Sequence, residues 1–269
     1  MKSSHLLHAT LFTLLAILCP IASQAATTPL NNPCGLAIDA SGNLYVANNA
    51  GNEILVYNPN HVQIRVITQG VSGPTGVAID PTGNLWVANS VANSVTEYSP
   101  TGKLLQTLTQ NISNPQAIAV DGLSDLWINN GFQNMGIYLY DFPAVPLIST
   151  FGNVPVTGVA VFHEFFVVGG NNNSFFGSVF GISQGDYEPN EVTCFAAAFD
   201  ATGNLYCGNE DHTLTRQLFL DKPTMIATLN FFPTGMAIDT THHWIYVADG
   251  VDNQIAIYGY AGKLLQVIK

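Results

Sequence analysis

A sixteen-residue pattern returns along this chain at a nearly constant interval, and no other feature of the sequence constrains the fold as strongly. The first copy, at residues 33–48, reads PCGLAIDASGNLYVAN, and the second, at 74–89, reads PTGVAIDPTGNLWVAN. The position of Gly35 recurs at residues 76, 117, 158, 196 and 235, so the spacing is 38 to 41 residues. Six copies of about 40 residues therefore occupy residues 33–269 and leave no room for a second domain.

Each copy contains four short runs of β-branched and aromatic residues, separated by glycine, asparagine and proline. In the first copy these runs cover residues 35–39, 44–47, 54–57 and 62–68, and they predict four strands. Asp39 and Gly42 lie between the first two runs, where an aspartate starts a turn and a glycine accepts positive φ. No segment has the apolar period of a long helix. The sequence therefore predicts an all-β fold, a six-bladed β-propeller of four-stranded antiparallel blades.

The second half of the repeat reads Asn-x-aliphatic-x-x-Tyr, at residues 52–57, 93–98 and 253–258. Joined to the Pro-x-Gly-aliphatic-Ala-aliphatic-Asp-x-x-Gly-Asn half, the pattern resembles the NHL repeat over residues 33–269. The resemblance implies a propeller with a central channel, and it motivates a binding role. The fourth copy departs from the pattern, because it lacks the Asp-x-x-Gly-Asn turn. Its residues 162–165, FHEF, instead predict a two-residue hairpin.

Two further repeated sets are expected to be structural. Glycines at the start of the first strand, such as Gly35 and Gly76, are expected where the inner strands crowd the channel axis. One aromatic residue of each copy is expected to pack blade against blade. This set is Tyr45, Trp86, Trp127, Phe166, Tyr206 and Tyr246.

The N-terminal residues have the layout of a secretory signal peptide. Lys2 is followed by an apolar run at residues 11–18 and by the small-x-small pattern Ser23-Gln24-Ala25, which predicts cleavage before Ala26. The alternative is a membrane anchor, although the run is shorter than the roughly 20 residues that a spanning helix needs. We therefore expect a signal peptide at 1–25, a short N-terminal segment at 26–32, and a secreted or periplasmic mature chain without a transmembrane segment.

The charge balance restricts the class of partner. Seven Lys and Arg residues stand against eighteen Asp and Glu residues, which gives a formal net charge of −11. Nucleic acid is excluded as a partner, because its phosphates require clustered basic side chains. A protein, peptide or glycan partner stays open.

Three cysteines follow the predicted cleavage site, namely Cys34, Cys194 and Cys207. An odd number in an oxidising compartment predicts at least one free thiol or an intermolecular bridge. Cys207 lies in an apolar strand pattern and is most simply a small core residue. The spacing of Cys194 and Cys207 matches no zinc site. The pairing state of all three cysteines is left open by the sequence.

The predicted ligand site lies where the second strand of each copy ends. In a propeller, the connections after second and fourth strands share one rim around the channel mouth, and amide side chains there offer donors and acceptors to sugars or peptide backbone. The alternative is that these residues simply end strands and make turns. The fifth copy adds the densest polar patch of the chain. The candidate ligand-binding residues are Asn48, Asn89, Asn130, Asn209, Glu210, Asp211, His212 and Asp249.

Searches for catalytic motifs find no nucleophile elbow, zinc-protease motif, phosphate-binding loop or EF-hand. Residues 83–89 resemble those of calcium-dependent gluconolactonases and of streptogramin lyases, whose other expected site residues are missing. The main hypothesis is therefore an exported, non-catalytic binding module without a cofactor. The alternative is a hydrolase or lyase that uses a divalent cation held by Asn130, Asn209, Glu210 or Asp249. A third hypothesis is a purely scaffolding protein.

Overall fold

The computed structural model of the chain describes residues 27–269 except 123, 132–135, 141–145, 150–155, 163–164, 171–174, 179–193 and 219–221. The predicted signal peptide at 1–25 and the turn at 163–164 lie outside the described residues. The flanks of that turn are described, and Phe162 pairs with Phe165 across adjacent strands, as a two-residue hairpin requires. Among the described residues, no helix has the length and apolar character needed to cross a bilayer.

The regular secondary structure of the described residues consists of β-strands. They are β1 (Pro33–Ile38), β2 (Leu44–Asn48), β3 (Glu53–Tyr57), β4 (Gln63–Ile67), β5 (Pro74–Ile79), β6 (Leu85–Asn89), β7 (Ser94–Tyr98), β8 (Leu104–Leu108), β9 (Pro115–Val120), β10 (Leu126–Asn130), β11 (Gly136–Tyr140), β12 (Pro146–Ser149), β13 (Val156–Phe162), β14 (Phe165–Gly170), β15 (Phe175–Ser178), β16 (Cys194–Phe199), β17 (Asn204–Asn209), β18 (Thr213–Leu218), β19 (Thr224–Thr228), β20 (Gly235–Asp239), β21 (Trp244–Asp249), β22 (Gln254–Gly259) and β23 (Leu264–Ile268).

Consecutive strands pair into antiparallel sheets in chain order. The sheets are β1–β4, β5–β8, β9–β12, β13–β15, β16–β19 and β20–β23, of which β13–β15 has three described strands and the others have four. The first strand of each sheet contacts the first strand of the next, and β20 contacts β1, so the sheets surround a common axis. The predicted all-β propeller with four-stranded antiparallel blades is confirmed in this form.

Antiparallel pairing gives the disc two faces, which we name by their connections. The upper face carries the connections from second to third strands, such as β2–β3, and from one sheet to the next, such as β4–β5. The lower face carries the connections from first to second strands and from third to fourth strands. All the candidate ligand-binding residues belong to the upper end of their sheets.

The turns on the lower face form because an aspartate carboxylate replaces missing backbone partners. Asp39 Oδ1 accepts hydrogen bonds from the backbone N–H groups of Ser41 and Asn43, both at 2.9 Å. Gly42 takes φ = 79°, which suits a residue without Cβ. The Tyr45 hydroxyl donates to Asp39 Oδ2 at 3.3 Å. The aspartate–aromatic pairs Asp80–Trp86, Asp121–Trp127 and Asp200–Tyr206 repeat this contact at 3.2, 3.2 and 3.4 Å.

The hydrophobic core lies between neighbouring sheets. Side chains alternate along a strand, and the second strands β2, β6 and β10 are buried at every position, so both of their sides face neighbouring sheets. On β2, Leu44 and Val46 pack against the last sheet, while Tyr45 and Ala47 pack against the second sheet. The described members of the predicted aromatic set are at most 4% exposed, which confirms their packing role. They are Tyr45, Trp86, Trp127, Tyr206 and Tyr246.

Asparagines on the upper face join neighbouring sheets at three of the junctions. They occupy the last position of the connection between second and third strands and adopt left-handed backbone conformations, with φ between 51° and 58°. Each side-chain oxygen accepts a hydrogen bond from a backbone N–H that precedes the first strand of the neighbouring sheet. The acceptor–donor pairs are Asn52–Gly73, Asn93–Asn114 and Asn253–Asn32, at 2.7, 2.7 and 2.6 Å.

The last of these pairs closes the ring between the last and first sheets. No strand is shared, because β1–β4 and β20–β23 are each continuous in sequence. The segment before β1 fills this junction instead, since Leu30 is 5% exposed in the core between the two sheets. Asn31 N–H also donates to Asn48 Oδ1 at 2.6 Å. Hydrogen bonds from the backbone of this segment and the packing of Leu30 therefore both contribute to the closure of the ring.

On the lower face, a histidine spans the same junction. His61 lies in the β3–β4 turn, and its Nδ1 lies 3.1 Å from Gln266 Oε1 while its Nε2 lies 3.0 Å from the Tyr246 hydroxyl. An amide oxygen only accepts, so Nδ1 carries the proton and Nε2 accepts from tyrosine in the neutral ring. Burial lowers the pKa of His61, reinforced by His242 and opposed by Gln266 and Asp239.

Stability is expected to fall more steeply on acidification in the wild-type chain than in a His61→Ala variant. Because the folded chain holds the pKa of His61 below its ordinary value of 6.5, the unfolded chain binds the proton first. The contribution of His61 is therefore complete above about pH 6.5 and is lost as the pH falls. Thermal melts of both chains, followed by circular dichroism between about pH 7.5 and about pH 5, measure this loss of stability. Melting temperatures that fall in parallel in the two chains would contradict the expectation.

Candidate functional site

The five strand-end residues predicted to bind a ligand lie inside the protein. Each ends the second strand of its sheet, and its side chain is buried rather than turned toward solvent. None exceeds 1% exposure. These residues are Asn48, Asn89, Asn130, Asn209 and Asp249.

Their polar atoms are occupied by internal partners. Asn89 Oδ1 accepts from the backbone N–H of Ser72 at 2.9 Å, and its Nδ2 donates to Thr96 Oγ1 at 2.9 Å. Asn48 and Asn130 accept in the same way from residues 31 and 113. Asn209 Nδ2 donates to two threonines, and Asp249 accepts from two backbone N–H groups of its own turn and from Gln254. These five residues therefore hold the connections of the upper face, and we correct their assignment as ligand contacts.

The central channel is narrow where the first strands surround it. Small residues line it, among them Gly35, Gly76, Ala117 and Gly235, and the space between them is about 70 Å³. This volume admits a few water molecules but is well below the roughly 300 Å³ of a small-molecule pocket. A ligand of the upper face must therefore lie over the channel mouth rather than inside the channel.

The second residue of the first strand, or its equivalent, marks the upper end of the channel. Thr75, Gln116, Phe195 and Thr234 line the channel at this repeat position. The first copy has Cys34 here, a free and half-buried thiol whose pKa burial raises to about 11. Such a thiol is almost entirely protonated at neutral pH and is a poor nucleophile.

An aromatic cluster stands at the channel mouth between the fifth and sixth copies. The rings of Phe195 and Phe232 meet edge to face with centroids 5.3 Å apart, and the ring of His212 meets Phe232 at 5.0 Å. Phe232 is 39% exposed and is the only aromatic among the large hydrophobic side chains that are exposed in the described part of the chain. Phe195, Phe232 and His212 form the aromatic cluster of the upper face.

His212 is positioned by the hairpin that it helps to form. Its backbone has φ = 63°, its N–H donates to Asn209 O at 3.1 Å, and its carbonyl accepts from Leu229 N–H at 2.6 Å. Glu210 and Asp211 precede it in the exposed part of this turn. Asp211 Oδ1 accepts from the backbone N–H of Thr213 at 3.0 Å, which shapes the turn. The structure thus brings three predicted site residues, Glu210, Asp211 and His212, to one surface.

Sequence reasoning missed both phenylalanines of the cluster. Their signal was a departure from the repeat, since Phe195 replaces the small or polar residue of other copies, as at Thr75 and Thr234. Phe232 stands where the equivalent connections have Gly73 and Asn114. A residue that departs from the repeat is not needed for the structure that all copies share. Such a residue therefore indicates function better than one that recurs in every blade.

A disulfide fastens the two strands that carry this site. Cys194 at the start of β16 is bonded to Cys207 near the end of β17, with Cα atoms 5.3 Å apart. The interpretation of Cys207 as a simple core residue is therefore wrong. The prediction of at least one free thiol among the three cysteines is confirmed by Cys34.

Replacing both disulfide cysteines with alanine is expected to cost about 2–3 kcal/mol. The bond closes a loop with a sequence separation of 13 residues, and loops of this length give about 3 kcal/mol through the restriction of the unfolded chain. Differential scanning calorimetry of Cys194→Ala/Cys207→Ala measures the effect. The matched control is Cys34→Ala, which removes a thiol but no cross-link, and equal melting temperatures in the two variants would contradict the expectation.

Comparison with known proteins supports the fold alone. No known family model and no curated protein matches the sequence. Streptogramin B lyase has a similar structure, with a TM-score of 0.66 and 14% identity over 91% of this chain and 85% of that chain. Virginiamycin B lyase from Staphylococcus aureus has a TM-score of 0.63 and 14% identity, over 88% of this chain and 83% of that chain. Kuenenia stuttgartiensis hydrazine synthase has a TM-score of 0.58 and 14% identity, over 92% of this chain and 89% of that chain.

These similarities define the class of the protein as a β-propeller. Proteins as different as a lyase and a hydrazine synthase share the arrangement, so the fold does not select an activity. The NHL resemblance of the repeats is not matched by a family model and stays a prediction.

Proposed function

We propose that the mature chain is an exported, non-catalytic binding module, built as a six-bladed ring of NHL-type repeats, whose upper face holds a protein, peptide or glycan partner at the channel mouth. The cyclic contacts of the first strands of the six described sheets support the six-bladed ring. The signal-peptide pattern at 1–25 supports export, and the Cys194–Cys207 disulfide suits an oxidising compartment.

The observation that carries this proposal is the partly exposed aromatic cluster at the channel mouth. Phe232 presents more than a third of its side chain to solvent although Phe195 and His212 pack against it. Large aromatic side chains in such positions are typical of recognition sites, because they give contact area with little loss of conformational freedom.

The hydrogen bonds of the strand-end residues favour binding over metal chemistry. Asn130, Asn209 and Asp249, which the alternative hypothesis would use as metal ligands, give their polar atoms to the protein itself. Over the described residues, no group of three or more His, Cys, Asp or Glu side chains is arranged to hold a metal ion. Glu210, the fourth residue of that hypothesis, is exposed but belongs to no such group, so the described residues of the upper face give a hydrolase or lyase mechanism no supporting geometry.

The proposal is tested by titrating the purified chain with neutral oligosaccharides and with basic and neutral peptides, each followed by calorimetry. We expect saturable binding of one class, recovery of that ligand with unchanged mass, and a loss of binding in Phe232→Ala. Met225→Ala is the matched control, because Met225 is 61% exposed on the outermost strand of the same sheet as Phe195. Chemical conversion of the ligand, or binding that both variants leave intact, would overturn the proposal.

A further inference from the structure

We infer that the aromatic cluster and its neighbouring carboxylates bind an arginine or lysine side chain of a peptide partner. This inference rests on the proposed function and names the chemistry of its ligand.

The cluster gives a fixed aromatic surface. Phe232 is contacted at ring-centroid distances of 5.3 Å by Phe195 and 5.0 Å by His212, and both contacts are edge to face. Two neighbours therefore restrict the plane of the Phe232 ring, while 39% of the side chain stays in contact with solvent. The face of an aromatic ring carries the negative part of its quadrupole and attracts ammonium and guanidinium groups.

Negative charge stands beside this surface. Glu210 and Asp211 are exposed and directly precede His212 in the chain. An exposed carboxylate attracts a cation weakly by itself, but an arginine stacked on a ring can also give a hydrogen bond to a carboxylate at the edge of that ring. A neutral sugar would gain the stacking contact but not the charge interaction.

The distribution of charge over the two faces of the disc also favours a cationic ligand. The described connections of the upper face, together with residues 27–32, contain no lysine or arginine, whereas Glu210, Asp211 and Asp252 are exposed there. The described basic residues lie in third and fourth strands, in lower-face connections or, for Lys269 alone, at the upper end of β23, where one lysine stands against the three exposed carboxylates. These basic residues are Arg65, Lys103, Arg216, Lys222, Lys263 and Lys269. The upper face therefore favours a cationic ligand and disfavours an anionic one.

A pair of isosteric peptides tests the inference by isothermal titration calorimetry. The probes are a tripeptide of arginine capped at both ends and the same tripeptide made from citrulline, which keeps the shape but lacks the charge. We expect saturable binding of the arginine peptide, weaker at high salt, and at least about 5-fold weaker binding of the citrulline peptide. Equal affinity for both peptides, or no binding of the arginine peptide, would overturn the inference.

Variants locate the binding to the cluster. Phe232→Leu keeps an apolar side chain but removes the ring, and it is expected to weaken arginine-peptide binding about 5-fold. Glu210→Gln keeps the size but removes the charge, and we expect about 2- to 3-fold weaker binding. Met225→Leu on β19 is the control that leaves the affinity unchanged. A Phe232→Leu variant that folds and binds as tightly as the wild-type chain would overturn the inference.

The two proposals fail in different ways. If a neutral oligosaccharide or the citrulline peptide binds and Phe232→Ala abolishes that binding, the binding module stands and the cationic ligand is wrong. If a ligand is converted chemically on the upper face, the non-catalytic function itself is wrong.

Discussion

A chain carrying Gly35→Val is expected to lose more than about 3 kcal/mol of folding stability and to melt roughly 6–12 °C below the wild-type chain. A Cβ atom at Gly35 would lie 2.7 Å from Gly76 Cα, 2.9 Å from Thr75 O and 2.9 Å from Val77 N. All three atoms belong to the backbone of β5, the first strand of the next sheet. Backbone atoms cannot rotate away as a side chain can, so the two sheets must separate to admit the valine.

The control for this variant is Gly122→Val, in a lower-face turn. Nothing lies within 4 Å of a Cβ atom at Gly122, and its backbone conformation suits any L-residue. Calorimetric melts of both variants separate the crowding at the channel from the general cost of replacing glycine. A Gly35→Val chain that melts with the Gly122→Val chain would show that the first strands are not packed at the distances described.

Leu30→Ala is expected to destabilise the chain by about 4 kcal/mol, although Leu30 precedes the first strand of the propeller. Leu30 is 5% exposed and packs with Leu44 of the first sheet and Ile255 of the last. Removing its side chain leaves a cavity at the one junction that joins the two ends of the chain. Chemical denaturation measures the loss, and hydrogen exchange is expected to rise in both sheets of the junction.

Leu105→Ala is the matched control, because Leu105 on β8 is 48% exposed and its replacement is expected to change stability by less than about 0.5 kcal/mol. Similar losses for the two leucine variants would contradict the role of the segment 27–32 in closing the ring.

The strands were predictable because the same local pattern of residues recurs in several copies along the chain. The predicted second strand at 44–47 corresponds to β2 (Leu44–Asn48), and the turn at Asp39 forms as its aspartate and glycine indicate. Alternating residues and turn chemistry act over a few neighbours, so one sequence contains the information. The propeller fold was predicted from the repetition of this pattern, with antiparallel pairing of the consecutive strands within each copy.

The candidate site was predictable only in part, because residue type does not reveal burial. Asn48 and Asn89 look like ligand contacts in sequence, yet their oxygens accept from connections 17 residues earlier. Glu210, Asp211 and His212 were found because they interrupt the amide pattern with charge. The sequence leaves the pairing of Cys194 with Cys207 open, because it is the pairing of the adjacent strands β16 and β17 that brings the two positions together.

The way in which the ring closes makes the starting point of the chain arbitrary. The hydrogen bond from Asn32 to Asn253 is equivalent to those from Gly73 to Asn52 and from Asn114 to Asn93. A circular permutant whose new ends lie between β4 and β5, with the old ends joined, would keep every described sheet whole and every junction of this kind intact. Every described sheet is therefore one continuous segment of the chain, so a cut between two sheets breaks no strand.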